Sequence, residues 1–211
     1  MLNKLIVLIF MACLIGSSTV IAQSETLPII SGVGGSFTAI NDDGDAVKFS
    51  GYAGKVVVLT FGYTNCADIC PFTMGYLKRL YKELSDEEQK KVNMVFVTVY
   101  PEYDTPRHLK GFIQHFNTDF IGLSGSKEQL DHIVSLYQAH YNTLSASVVP
   151  TQDIRRINPK EVANADEEKS LLFSHTVTIY LIDKEGNTRS LEFTGTPIKE
   201  FANKIRQLIN E

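Results

Sequence analysis

The feature that most constrains the fold is a junction between an apolar run and an amphipathic run. Val56 to Phe61 is apolar except for one threonine, which is typical of a buried strand. Downstream, four large side chains repeat at helical spacing: Leu77, Leu80, Tyr81 and Leu84. Pro71 suits the first turn of such a helix, because the N–H that a proline lacks has no partner there. The sequence therefore predicts a buried strand that leads into a long helix.

Two cysteines lie between this strand and this helix. Cys66 and Cys70 are four positions apart, about one helical turn, so both sulfur atoms are expected to face the same way. This arrangement suits a reversible disulfide and equally a two-thiolate site for a soft metal ion such as copper(I). A disulfide across so short a loop restrains the unfolded chain little, and a helix start lowers thiol pKa values. A functional role is therefore favoured, and the spacing leaves both chemistries open.

Strand and helix patterns alternate along the rest of the chain. Further strands are predicted at Phe37 to Ile40, Val47 to Phe49, Val92 to Val99, Phe120 to Leu123, Val177 to Ile182 and Thr188 to Phe193. Further helices are predicted from Thr105-Pro106 to Phe116, after a Ser126 and Gln129 capping box, and over Pro197 to Ile209. This order predicts an α/β protein with a thioredoxin-like fold over residues 36–211: a central mixed sheet flanked by helices, with an N-terminal hairpin. The polar segment Val149 to Lys169 fits no element.

Residues 1–22 are predicted to be a secretory signal peptide. Lys4 precedes an apolar stretch from Leu5 to Ile15, and the side chains before Ala22 suit cleavage after it. This stretch is shorter than the roughly 20 residues that span a bilayer, so an uncleaved anchor is the second choice. We therefore expect a periplasmic or exported protein, in which a disulfide can persist, with a flexible lead-in over residues 23–35. The net charge of −4 and the lack of a basic stripe argue against a nucleic-acid partner.

Copper(I) accepts two or three ligands, so a third ligand is expected beside the cysteines. Four of the five histidines fall within predicted helices and are interpreted as surface residues: His108, His115, His132 and His140. His175 stands at the mouth of a strand, from which it can reach the end of a neighbouring strand. Met74 is interpreted as a core residue rather than a ligand, and the charge of Asp68 would favour a bound cation. Spacing alone does not decide among these residues.

The motifs around these residues resemble those of the Sco/SenC family of copper proteins. The resemblance covers Phe61-Gly62-Tyr63-Thr64 with Cys66, Asp68, Cys70 and Pro71, and then Val97-Thr98-Val99, Pro101-Glu102, Asp104-Thr105-Pro106, Ile121 to Gly125, Ser174-His175 and Tyr180 to Asp183. It implies a thioredoxin-like fold in which Cys66, Cys70 and His175 bind a copper ion. It also implies a copper(I) metallochaperone that delivers copper to the binuclear centre of cytochrome c oxidase during assembly.

Two partners follow from this resemblance. The first is a copper enzyme, with a cytochrome c oxidase subunit as the expected client, which would also bring the protein close to a membrane. The second is an exported thiol reductase, because the cysteines must be reduced and deprotonated to bind metal. The alternative function is that of a thiol-disulfide oxidoreductase, which needs Cys66 and Cys70 but not His175.

Four positions depart from the family pattern. Asn65 and Ala67 stand where the family often has histidine and proline, and Tyr100 and Tyr103 stand where aspartate and arginine are usual. All four lie near the predicted metal loop. There they would alter copper affinity, redox potential or the choice of partner.

Overall fold

The structure is a computed structural model that describes residues 26–144 and 172–211. The predicted signal peptide, residues 1–22, and the polar segment 149–169 lie outside the described residues. Of the lead-in, residues 26–35 are described, and two of their backbone N–H groups bind the domain: Ile30 donates to the Thr188 carbonyl at 2.8 Å and Gly34 donates to the Leu136 carbonyl at 2.7 Å. Within residues 26–144 and 172–211, no helix has the length and apolar character that a membrane crossing requires.

A mixed sheet forms the centre of the domain, as predicted. The strands along the chain are β1 (Thr38–Asn41), β2 (Ala46–Lys48), β3 (Val56–Gly62), β4 (Val92–Thr98), β5 (Ile121–Ser124), β6 (Tyr141–Leu144), β7 (Leu172–His175), β8 (Ile179–Ile182) and β9 (Thr188–Glu192). Seven of them form the main sheet in the order β2-β1-β5-β4-β3-β8-β9, and β6 and β7 pair separately. Strands β3, β4 and β5 are parallel, and the outer strands are antiparallel to their neighbours.

Helices cover both faces of this sheet. They are α1 (Ile69–Glu83), α2 (Asp86–Gln89), α3 (Pro106–Gln114), α4 (Lys127–Leu136) and α5 (Ile198–Asn210). Residues of α1, α3 and α5 share one apolar core, and residues of α4 pack into the other. Every residue of β3 is buried, and Val56 and Val58 face the first core while Val57 and Leu59 face the second. This explains the near-continuous apolar run, because a strand covered on both faces has no polar side.

The two predicted helix starts are confirmed. The Thr105 hydroxyl accepts a hydrogen bond from the His108 N–H, with Pro106 in the first turn of α3. Ser126 and Gln129 form a reciprocal capping box at the start of α4. These signals lie within a few residues of each helix, so they can be recognised without the tertiary fold.

Other expectations differ from the structure. The prediction that His140 lies in a helix is wrong: α4 ends at Leu136, and Gln138 then adopts a positive φ of 50°, a left-handed conformation that ends helices. Phe49, predicted as the end of a strand, instead begins a short 3₁₀ helix. The hairpin of β6 and β7 was not predicted, because its strands are short and separated by the polar segment.

Candidate metal centre

Cys66, Cys70 and His175 converge at one end of the domain. Their ligand atoms, two Sγ and one imidazole nitrogen, all lie within 4.8 Å of one another. Cys70 Sγ lies 3.3 Å from His175 Nε2. We refer to these residues as the three-ligand cluster. The structure thus brings together the three residues that the family resemblance selected.

The strand and helix predicted from the sequence place the two cysteines. β3 ends at Gly62, and the chain then turns, with the Cys66 N–H donating to the Tyr63 carbonyl at 3.4 Å. Cys70 is the second residue of α1 and is 2% exposed, whereas Cys66 lies in the loop and is half-buried. Pro71 lies in the first turn of α1, as predicted. One sulfur is therefore within the protein and the other is accessible from solvent.

Gly62 allows the Cys70 sulfur to lie close to the backbone of β3. A Cβ atom at this position would stand 3.0 Å from Cys70 Sγ and 2.7 Å from two ring carbons of Phe96. Real Cβ atoms do not make contacts as close as those to Phe96, and the contact to Cys70 Sγ would require the sulfur to move by a few tenths of an ångström. The glycine is therefore needed for close approach of the sulfur to the strand.

His175 reaches the sulfurs from the two-stranded sheet. It is the last residue of β7 and pairs with Tyr141 of β6. Its Nδ1 lies 3.0 Å from the Thr176 carbonyl, so a proton on Nδ1 is hydrogen-bonded there and Nε2 keeps a free lone pair. The Tyr63 ring meets the imidazole edge-on, with ring centroids 5.9 Å apart. The nitrogen that faces Cys70 is therefore the one able to act as a ligand.

Two sets of hydrogen bonds hold the hairpin that carries His175. The Tyr141 hydroxyl donates to Asp131 of α4 and accepts from Lys127 at 3.2 Å. On the other side of His175, the Thr176 N–H donates to the His140 carbonyl at 2.9 Å, and the Thr176 hydroxyl accepts from the His140 N–H at 2.9 Å. Sequence reasoning did not identify Tyr141 or Thr176. The one available signal was that Thr176 is next to His175 in the chain, and nothing in the sequence pointed to Tyr141.

The two thiols share one proton unequally. A hydrogen bond from the Cys70 thiol lowers the pKa of Cys66 to about 3, with a smaller contribution from His175 and with burial opposing both. The same hydrogen bond, together with burial, raises the pKa of Cys70 well above its usual range. The half-buried Cys66 is thus the thiolate and the buried Cys70 the thiol. Two sulfurs and one imidazole are soft to intermediate ligands and suit copper(I), and a half-buried thiolate beside a thiol also suits disulfide exchange.

The remaining candidate residues lie outside the cluster. Met74 is 1% exposed within the first apolar core, as expected. The other four histidines are exposed, as expected of surface residues: His108, His115, His132 and His140. Asp68 is exposed, and it affects Cys66 through a backbone hydrogen bond that lowers the pKa of the thiol.

The positions that depart from the family pattern lie beside the cysteine loop. The Tyr103 ring stacks on the Tyr100 ring, with ring centroids 5.6 Å apart. The Tyr103 ring also contacts the His108 ring, with centroids 4.7 Å apart. Asn65 and Tyr103 line an open cavity of about 470 Å³. Ala67 is exposed. The departures therefore change two exposed residues of the cysteine loop, the half-buried Tyr103 and the buried Tyr100, and leave the three ligand residues intact.

Comparison with known proteins agrees with this geometry. The SCO1/SenC family model matches residues 30–210, a range that includes all three residues of the cluster. The chain is 28% identical to protein SCO1 homolog 1, a mitochondrial protein of Arabidopsis thaliana, over 155 residues, which are 74% of this chain and 40% of that protein. The matched region thus spans less than half the length of this relative.

Two solved structures are similar to the whole domain. Arabidopsis thaliana ScoI with copper bound is 27% identical, with a TM-score of 0.66, and the match covers 83% of this chain and 99% of that chain. Bradyrhizobium japonicum ScoI with copper bound is also 27% identical, with a TM-score of 0.64 and the same coverage of 83% and 99%. The predicted thioredoxin-like α/β fold is confirmed by these similarities and by the mixed sheet.

Proposed function

The chain belongs to the SCO1/SenC family, and from this membership and the three-ligand cluster we propose that it is a copper(I) metallochaperone. Its client is a copper enzyme, and the family resemblance makes the binuclear centre of cytochrome c oxidase the expected destination. The observation that carries the proposal is the convergence of two cysteine sulfurs and a histidine nitrogen within 4.8 Å. Two similar proteins have been solved with copper bound, which supports copper as the ion.

Loading would use the unequal protonation of the cysteines. Copper(I) meets the Cys66 thiolate first, because this sulfur is the accessible one. Cys70 then releases its proton and becomes the second ligand, while the Nε2 lone pair of His175 supplies the third. Delivery also begins at Cys66: a client ligand displaces this accessible, half-buried sulfur first, and the remaining ligands follow.

A copper(I) titration against a competing chelator tests this proposal. The reduced protein is expected to take up one copper(I) per chain, and His175→Ala is expected to weaken binding at least about tenfold. His140→Ala is the matched control, because His140 is an exposed histidine beside the same hairpin and is not part of the cluster. Equal and weak binding by the wild type and His175→Ala would refute the proposal.

A second candidate function is thiol-disulfide exchange, which the low pKa and the accessibility of Cys66 favour. The Cys66 thiolate would attack a client disulfide, form a mixed disulfide and release one client thiolate. Cys70 would then lose its proton and attack the Cys66 sulfur, which releases the second client thiol and leaves a Cys66–Cys70 disulfide. An exported thiol reductase would restore the dithiol.

His175 separates the two functions. Disulfide exchange needs both cysteines but not the imidazole, so an oxidoreductase would keep its activity on a disulfide-bonded client in the His175→Ala variant. A metallochaperone would lose copper binding in the same variant. Both functions fit export to the periplasm, which the first 22 residues predict.

A further inference from the structure

Asp104 carries a completely buried carboxylate at the carboxyl ends of the parallel strands. Its exposed fraction is 0%. One carboxylate oxygen accepts hydrogen bonds from the Thr64 N–H at 3.0 Å and from the Thr98 hydroxyl at 2.5 Å. The other oxygen accepts from the Thr64 hydroxyl at 2.5 Å. Burial raises the pKa of the Asp104 carboxyl group, and the three hydrogen bonds from Thr64 and Thr98 oppose that rise because they stabilise the ionised form.

These bonds connect Asp104 to the cysteine loop. Thr64 follows the end of β3 and comes two residues before Cys66, whereas Thr98 is the last residue of β4. The Asp104 carbonyl in addition accepts from the hydroxyl of Ser124, the last residue of β5, at 3.4 Å. Asp104 therefore joins the ends of three neighbouring parallel strands and holds the segment that leads to Cys66.

No cationic side chain of the described residues is in contact with the Asp104 carboxylate, although His108 lies near enough to lower the pKa of this group. All of its hydrogen-bond donors are neutral, and it forms no ion pair within residues 26–144 and 172–211. The charge lies next to the cysteine loop, because the carboxylate binds both the N–H and the hydroxyl of Thr64, two residues before Cys66. Because the carboxylate is buried, salt and water screen this field weakly.

We propose that Asp104 is a positioning residue that also sets the charge preference of the three-ligand cluster, favouring a divalent over a monovalent ion. The interaction of a fixed anion with a bound cation is proportional to the charge of the cation, so it stabilises a divalent ion twice as much as copper(I). This inference rests on the proposed function, since it requires that the cluster bind metal. In this proposal Asp104 contributes negative charge to the metal site but does not bind the metal ion itself.

The test compares copper(I) with cobalt(II), a divalent probe that does not oxidise thiols and reports thiolate binding by its absorption. In Asp104→Asn the amide keeps the shape of the side chain and removes the charge. Cobalt(II) binding is expected to weaken about tenfold more than copper(I) binding. Thr98→Val is the matched control, because it removes one hydrogen bond to the same carboxylate and keeps the charge. The ratio of copper(I) to cobalt(II) affinity in Thr98→Val is expected to equal that of the wild type. The same ratio is expected in Asp104→Glu, because glutamate also keeps the charge.

An equal loss of both affinities in Asp104→Asn would overturn the charge preference and leave Asp104 as a structural residue. Asp104→Ser is a second neutral variant, with space for water beside Thr64 and Thr98. If neither neutral variant folds, the carboxylate is required for the fold itself and the inference is overturned. If the wild type binds neither ion, the proposed function fails together with the inference. If the wild type binds both ions and Asp104→Asn leaves the ratio of copper(I) to cobalt(II) affinity unchanged, only the inference fails.

Discussion

The Cys70 sulfur lies 3.3 Å from Nε2 of His175, although 105 positions separate the two residues in the chain. The contact joins the start of α1 to the end of β7 and completes a site that neither element contains alone. Because Cys70 is buried and Cys66 is half-buried, the two sulfurs differ in both access and protonation.

Copper(I) loading should release one proton per ion rather than two. Cys66 is already a thiolate at neutral pH, since its pKa is lowered to about 3, whereas Cys70 must lose a proton because its pKa is raised. Apparent copper(I) affinity should therefore rise about tenfold per pH unit between pH 6 and 8. Proton release in weak buffer and chelator competition measure the two quantities. Release of two protons, with a hundredfold gain per pH unit, would contradict the assignment.

Alkylation of Cys66 by iodoacetamide should be nearly independent of pH from about pH 5 to 8. The thiolate fraction is already complete in this range because the pKa is lowered to about 3. In Cys70→Ala the hydrogen bond that lowers this pKa most is lost, so the rate should rise about tenfold per pH unit over the lower part of the range. Mass spectrometry identifies the modified residue. A wild-type rate that rises with pH as the variant does would show that Cys70 does not stabilise the thiolate.

Gly62→Ala should destabilise the protein and weaken copper(I) binding. The new Cβ would lie 2.7 Å from the Phe96 ring and 3.0 Å from Cys70 Sγ, and overpacking of this kind costs about 1–3 kcal/mol. Gly75→Ala is the control, because Gly75 lies within α1 and its Cβ would meet open space. Alanine there should stabilise the helix by about 0.5–1 kcal/mol. Denaturant unfolding measures both changes, and equal shifts in the two variants would contradict the expected contact.

Two tyrosine-to-phenylalanine substitutions should have opposite effects on stability. Tyr141→Phe removes the hydroxyl that binds Asp131 and Lys127, so the free energy of unfolding should fall by about 0.5–1.5 kcal/mol and copper(I) affinity should fall with it. Tyr137→Phe removes a buried hydroxyl that has no hydrogen-bond partner among the described residues. That change should leave the free energy of unfolding unchanged or raise it, because burying this hydroxyl costs free energy that no hydrogen bond offsets. Thermal unfolding compares the pair, and a larger loss in Tyr137→Phe would show that this hydroxyl has a partner.

Local patterns in the chain were sufficient for the frame of the site. The apolar run of β3, the cysteine spacing and Pro71 predicted a strand, a loop and a helix, and the structure has all three in that order. The capping residues Thr105 and Ser126 could also be predicted from the sequence, because a cap and the N–H group that it binds are three residues apart. A family resemblance added His175, which spacing alone had not selected.

The parts that were missed depend on residues distant in sequence. Thr64 and Asp104 are 40 positions apart and His175 and Tyr141 are 34 apart, so no periodicity in the chain connects them. The helical assignment of His140 failed for a related reason, since the helix ends at Leu136, Gln138 has a positive φ, and Tyr141 then begins the strand that pairs with the one carrying His175.

The chain itself therefore specified where two sulfurs lie and that they face one way, because four positions on a strand-to-helix junction are a local geometry. The family resemblance indicated His175, but only the tertiary structure decided that its imidazole reaches the sulfurs, which sulfur is buried and which carboxylate lies nearby. The order of the strands and the pairing of β6 with β7 bring these groups together, and such pairings depend on packing across the whole domain rather than on any local repeat.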